Sequence, residues 1–163
     1  MVNLSEIKTV KASKEDIEAI FSFNEELIKQ YENTAEIDHN RVMGWVRRKI
    51  ENFIDDYQVI KYNDEKVGYY YFHKNKKKME LDDFYIFSKY RNQGIGSYIL
   101  NKCIKDSNLT IFLYVFIKNT KAISFYEKHG FVMIEAINKT RCIMQRENTQ
   151  HKSGSIIKNL FKK

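Results

Sequence analysis

The sequence predicts an α+β fold: a mixed central sheet of about seven strands with about four helices on its two faces. Three observations carry this expectation. Residues 79–87 form a β-branched and aromatic run that passes through Arg91-Asn92-Gln93-Gly94-Ile95-Gly96 into a run where Ile95, Ile99 and Cys103 recur at helical spacing. Residues 110–117 are almost continuously apolar, as in a buried strand, and a short helical stripe and the apolar run Phe131-Val132-Met133-Ile134 follow them. Residues 57–62 and 66–73 flank Asn63-Asp64-Glu65 and read as a hairpin.

Each element has its own signal. Residues 2–11 read as a first strand. Ser13 caps a helix, with Asp16 at the capping-box distance, and Ile17, Ile20, Phe21, Leu27, Ile28 and Tyr31 form its apolar side. Asp38 caps a second helix whose apolar face takes Val42, Trp45, Val46, Ile50, Phe53, Ile54 and Tyr57. The hairpin and strand 79–87 follow, then a helix over 95–106 and strand 110–117. In the next helix, over 121–129, Ala122, Phe125, Tyr126 and His129 share one stripe and Gly130 serves as C-cap. Strands over 131–136 and 141–146 complete the domain, taken as residues 1–146.

Residues 147–163 are a basic tail. Within it Ile156, Ile157, Leu160 and Phe161 make an apolar stripe among lysines, too short for a stable isolated helix. Such a segment is expected to dock on protein, either its own domain or a second subunit in a homodimer. A chain of 163 residues supports one core. Its two cysteines, Cys103 and Cys142, have no metal-ligand spacing and suit a reducing compartment, so a cytoplasmic protein is expected. No segment approaches the ~20 apolar residues of a membrane span, and residues 1–13 lack an apolar core of the leader type. His39, His73 and His151 stand apart from one another, and no metal site is expected.

The glycine turn carries the chemistry. Two glycines let the backbone turn tightly and approach a ligand, and the free N–H groups of the helix that follows converge on one point suited to phosphate. It is not a P-loop, which requires Lys-Ser or Lys-Thr after the last glycine. It is not a dinucleotide fingerprint either, because Ile99 stands where the third glycine would be.

Two segments together resemble the GNAT superfamily of N-acetyltransferases. Asp82 to Leu100, DDFYIFSKYRNQGIGSYIL, resembles the family's acetyl-CoA motif, and NTKAISFYEKHGFV, from Asn119, resembles its second motif. DEKVGYYYF, from Asp64, resembles the hairpin that usually precedes the cofactor strand, and Ser88 stands where the family often has proline. The resemblance covers roughly residues 2–146. It implies acetyl-CoA as co-substrate, held by Arg91, Asn92, Gln93, Gly94, Ile95, Gly96 and Ser97, in a sheet that splays near Ile86 and Val115. Backbone groups of Tyr85, Ile86 and Phe87 would pair with the pantetheine arm as an added strand does. Asn119 either contacts the cofactor or caps its helix, and the two roles can coexist.

The resemblance also implies catalytic positions. Tyr126 matches the family's general acid, although a core tyrosine is the alternative. Glu80, in the pair Glu80-Leu81 six residues before Ile86, is the expected base, with Asp82, Asp83 or a water chain as alternatives. Period-2 geometry places Glu80 and Asp82 on one face and Asp83 on the other unless a bulge intervenes. The expected reaction is direct acetyl transfer to the primary amine of a small or peptide acceptor, cationic by the following argument. From Glu15 to Asp38 there are eight acids against Lys29 alone, which makes either an acidic rim for a cationic amine or a solvated helix face. Competing classes are a non-catalytic acyl-CoA sensor and a basic nucleic-acid-binding module. The net charge of +7 favours the latter weakly, but the lysines are dispersed and the aromatics read as core, so no specific nucleic acid is expected.

Overall fold

The computed structural model describes residues 1–148, and the apolar stripe over 156–161 lies outside them. Seven strands form one sheet: β1 (Ile7–Lys11), β2 (Gln58–Tyr62), β3 (Glu65–Asn75), β4 (Lys78–Ile86), β5 (Ile111–Phe116), β6 (Val132–Ala136) and β7 (Arg141–Arg146). Their order is β1-β2-β3-β4-β5-β7-β6. The pairs are antiparallel except β4 with β5. Helices α1 (Ile17–Tyr31) and α2 (His39–Phe53) accompany one face, and α3 (Ile95–Asp106) and α4 (Thr120–Lys128) the other. Ile20, Phe23, Ile50, Tyr57, Tyr69 and Tyr71 pack on the first side. Tyr70, Leu81, Ile99, Leu113, Tyr126 and Met144 pack on the second. The middle of β3, Val67 to Tyr71, is buried on both sides, which explains why β3 reads as a near-continuous apolar run.

The parallel pair β4–β5 is brief. Its register holds only Met79 opposite Ile111 and Glu80 opposite Phe112, whereas β5 and β7 stay paired over six positions. Beyond Glu80 no ladder joins β4 to β5, and the sheet opens there as a cleft. Two bulges tune the strands that border it. Between β2 and β3 the register shifts so that Val67 is the extra residue, which puts Val67 and Tyr70 on the α3/α4 side and Tyr69 and Tyr71 on the other. Between β3 and β4 the register moves from Tyr69–Tyr85 to Tyr71–Asp82, leaving two residues of β4 opposite Tyr70. Asp83 takes a left-handed φ of 47° at that bulge.

Two expected boundaries and one expected helix face differ. The first strand starts at Ile7, because Asn3 accepts the Ser5 N–H and a single 3₁₀ turn occupies Leu4–Glu6. Helix α1 is entered through another such turn, Lys14–Asp16, whose Asp16 carboxylate accepts the Ser13 N–H at 2.9 Å. The capping-box pairing at Ser13 and Asp16 is therefore present. On α2 the expected apolar arc is too wide: Trp45 is 60% exposed, and Met43 is buried instead, in line with Ile50. The Arg41 guanidinium lies 5.6 Å from the Trp45 ring, covering part of that exposed face.

Two expectations about stability follow. A Cβ on Gly68 would lie 2.3 Å from the Tyr85 carbonyl oxygen and 3.2 Å from the Ile86 Cα, both backbone atoms of β4. Gly68→Ala should therefore cost about 1–3 kcal/mol in denaturant unfolding, an overpacking cost that backbone movement only partly relieves. Asp16 is buried, and burial opposes its charge. Hydrogen bonds from Lys66 at 2.7 Å, Ser13 N–H and the Tyr69 hydroxyl at 3.0 Å nevertheless hold its carboxyl below the usual value. A depressed native pKa stabilises the fold above the unfolded value and loses that stabilisation as pH falls through the native one. Asp16→Asn should accordingly be less stable than the parent at pH 6, with the gap closing below about pH 4, as read by thermal melts across pH.

Candidate active site

The cleft between β4 and β5 opens into two cavities. One, of about 510 Å³, lies beside the glycine turn and is lined by Tyr85, Ile86, Arg91, Asn92, Gly94, Gly96, Ser97 and Lys121, among others. The other, of about 370 Å³, is lined by Glu80, Asp82 and Asp83 from β4, Lys49 from α2, Phe23 and Leu27 from α1, Tyr114 from β5 and Arg141 from β7, among others. Tyr126, Asn119, Ala122, Phe84 and Leu27 border both. The two cavities therefore meet at Tyr126.

Gly94 is the hinge of the first cavity. It has φ +85°, and a Cβ there would find ordinary room against Leu4 at 3.5 Å, so the demand for glycine is conformational. The Tyr98 N–H is the first to find an intrahelical acceptor, the Gly94 carbonyl at 2.9 Å. The N–H groups before it form the donor-rich end of α3, where the helix dipole favours an anion. Lys121, at the start of α4, adds a cation to the same lining. Arg91 donates from Nε to the Ile86 carbonyl at 2.8 Å and lies 5.0 Å from the Tyr85 ring, fastening the end of β4 to the turn. Three expected contributors do not bring their side chains into the cavity lining. Ile95 is an anchor in the core, Gln93 donates to the Lys89 carbonyl at 3.0 Å, and Phe87 packs against Tyr69 and Tyr85 beyond the end of β4.

Asn119 caps α4 by accepting the Ala122 N–H at 3.2 Å, yet it also borders both cavities. Tyr126 is 9% exposed, with its ring against Phe125 and Phe131. Burial first, and then the charge of Asp82, push its hydroxyl pKa well above the usual value. The phenol therefore keeps its proton at neutral pH and is available as a hydrogen-bond donor.

The carboxylates of β4 are arranged differently from a regular strand. Glu80 accepts from Asn75 Nδ2 at 2.8 Å and lies 3.6 Å from His73 Nε2. Alternation would separate Asp82 from Asp83, but the bulge turns both towards Lys49, whose Nζ is 2.9 Å from each. The Tyr57 hydroxyl donates to Asp83 at 2.5 Å, and the Asp83 N–H donates to Asp82 at 2.8 Å. Burial and the neighbouring Asp82 push the Asp83 carboxyl pKa up. Lys49 is pushed up as well, since its two carboxylates outweigh the burial that opposes its charge. Lys49 lines the cavity and Tyr57 braces Asp83 from outside it; the sequence signal for Lys49 is a lysine interrupting the stripe from Val46 to Ile50.

The histidines are less isolated than their sequence positions imply. His73 stacks on Tyr71 at 4.0 Å and His39 lies 3.5 Å from Glu25. His73, Glu80 and Asp82 bring donor atoms within 4.8 Å of one another, with Asn75 and Lys49 already engaging two of them. The acidic count over residues 15–38 also overstates the free charge. Asp16 pairs with Lys66, Glu18 with Arg47, Glu25 with Lys29 and Glu32 with Arg141. Asp38 caps α2. No helix among the described residues is long and apolar enough to cross a membrane.

Known proteins show the same organisation. The sequence profile of the Acetyltransferase (GNAT) family matches residues 19–131. N-alpha-acetyltransferase 50 of Danio rerio is 39% identical over 67 residues, which are 38% of this chain and 40% of that protein. The probable N-acetyltransferase san of Drosophila melanogaster is 37% identical over 67 residues, 38% of this chain and 36% of that protein. Each of these matches spans well under half of the relative's length. Among solved structures, the PaiA N-acetyltransferase of Thermoplasma acidophilum in complex with coenzyme A superposes with a TM-score of 0.66 at 22% identity, covering 86% of this chain and 98% of that one. That likeness is one of fold. The family match runs from within α1 to the residue before β6 and takes in the glycine turn, the β4 carboxylates and Tyr126, so the chain belongs to the GNAT family of acetyltransferases.

Proposed function

We propose that the protein transfers an acetyl group from acetyl-CoA to a primary amine by direct attack in a ternary complex. The observation that carries this reading is the continuity of the cleft: an anion-binding turn at one end, carboxylates at the other, and the Tyr126 hydroxyl between them. The fit to the co-substrate rests on the first-turn donors of α3, the left-handed Gly94 and the flanking Arg91 and Lys121. Acetyl-CoA supplies the acetyl group already activated as a thioester. Neither cysteine offers a covalent route, because Cys103 and Cys142 are buried outside the cavity linings and burial pushes the Cys103 thiol up to about 12.

The roles of the side chains follow from their positions. An amine with a pKa near ~10.4 must shed a proton before it attacks, and Glu80 accepts that proton at a cavity wall from which water is partly excluded. Tyr126 donates a hydrogen bond at the leaving sulfur. With its pKa raised, the phenol stabilises the departing thiolate without surrendering its proton outright. The acceptor is a small or peptide amine carrying positive charge. Glu80, Asp82 and Asp83 line that cavity, with Lys49 bridging the last two and Arg141 paired to Glu32, and this interior charge, more than the partly neutralised helix surface, selects an ammonium group. Calorimetric titration with acetyl-CoA, followed by turnover on a panel of amines, tests the assignment; no saturable binding at millimolar acetyl-CoA would overturn it.

Two sets of variants separate binding from chemistry. Gly94→Val forces a β-branched residue to φ +85° and should weaken acetyl-CoA binding at least tenfold, with Arg91→Ala also weakening it, as measured by the same calorimetry. Wild-type affinity in both folded variants would remove the turn from the site. Tyr126→Phe keeps the ring and its packing while removing the donor, so kcat should fall roughly 10²-fold with cofactor affinity nearly unchanged. Glu80→Gln should flatten the acidic limb of the pH–rate profile, which Tyr126→Phe should leave in place.

A further inference from the structure

We propose that Lys49 is a positioning residue for the transfer reaction, acting through the β4 carboxylates rather than on the acceptor. This rests on the acetyl-transfer reading above and extends it to a residue outside the family's two motifs. The geometry is that of a clamp. The bulge at Asp83 brings two consecutive carboxylates to the same side, and the Lys49 ammonium, delivered by α2 from the opposite wall, lies 2.9 Å from both. Glu80 shares the face of Asp82 two residues earlier and lines the same cavity. Glu80 and Asp82 bring carboxylate oxygens within 4.8 Å of one another, so a charge held against Asp82 also acts on the field at Glu80. Lys49 supplies that compensating charge beside the group proposed to take the proton of the amine.

The surrounding groups leave this role to Lys49. From the segment before β2, Tyr57 donates to Asp83 but carries no charge. On β3, Tyr71 is neutral and His73, 3.6 Å from Glu80, is the one competing titrant. Across the cleft, Tyr114 and Tyr126 are phenols held protonated, by burial first and then by the carboxylates' field. Arg141 of β7 reaches the cavity with its charge spent on Glu32 at 3.5 Å. Lys49 is thus the cation held against this carboxylate group, and its loss leaves Asp82 and Asp83 without their shared cation.

The test compares the full chain with Lys49→Met, Lys49→Arg and His73→Gln. Carboxyl carbon NMR follows the titration of Glu80, Asp82 and Asp83, and pH–rate profiles follow acetyl transfer to a simple alkyl diamine. Lys49→Met should raise the apparent pKa of the set and the acidic limb of the rate together by about one pH unit, the scale expected for loss of an adjacent opposite charge. Lys49→Arg, which keeps the charge, should restore both to within a few tenths of a unit. Should Lys49→Met fail to fold, adding Asp83→Asn removes one charge of each sign. That double variant should fold and titrate near the wild type. An unchanged set in folded Lys49→Met, or a limb that moves with His73→Gln alone, would overturn the inference. Absence of transfer by the wild type on any amine would instead overturn the acetyl-transfer reading on which it rests.

Discussion

The two paired positions at which β4 and β5 part company govern the arrangement of everything downstream. A parallel pair that continued along both strands would fill the space that the two cavities occupy. By stopping at Glu80 and Phe112, the sheet leaves a cleft lined by residues of β4, β5, α4 and α1. Interrupting a sheet in this way is tolerable only if both strands are secured from their other sides. β4 is held by β3 and β5 by β7, each through a long antiparallel ladder. The aromatic core on the α1/α2 side, with Tyr57 stacked on Tyr71 and Phe23 on Tyr85, then fixes the angle at which the wall stands.

On that scaffold opposite electrostatic demands are met at opposite ends. The end of the cleft beside α3 presents first-turn donors with Arg91 and Lys121 close by, a setting for negative charge. The other end concentrates carboxylates and one lysine, a setting for positive charge. Tyr126 sits where these fields meet, buried deeply enough that its hydroxyl stays protonated. Left-handed backbone appears at both ends, at Gly94 in the turn and at Asp83 in the bulge. Glycine adopts such a conformation without cost, whereas Asp83 is held there by Lys49, Tyr57 and the β3–β4 register.

Much of this architecture was legible from residue order. The glycine turn between a strand and a helix, Asp38 and Asn119 as caps, and the alternation of strand and helix after Met79 are local signals, written within a few residues of the structure they specify. The errors fall where a local pattern was ambiguous. Trp45 and Phe53 are large and apolar, so they widened the inferred face of α2, but a helix in contact with one sheet buries a narrow arc and leaves them outside it. Acidic residues in and beside α1 read as either a rim or a solvated face, and partners far away in the chain, Lys66, Arg47 and Arg141, lie against three of them.

The sequence by itself determined the element types, the family-like motifs and the chemical inventory of the cleft: glycines and an arginine for an anion, carboxylates and a tyrosine for proton handling. Tertiary structure alone decided how those groups face one another. Whether Asp82 and Asp83 point apart or together depends on one extra residue in the β3–β4 register, and that shift is set by pairing across the sheet rather than by the aspartates' own propensities. The place of Lys49 between them depends in turn on how α2 lies over the sheet. Both are long-range outcomes, because the energy that fixes them comes from side chains of α2, β3 and β4 meeting in one buried volume.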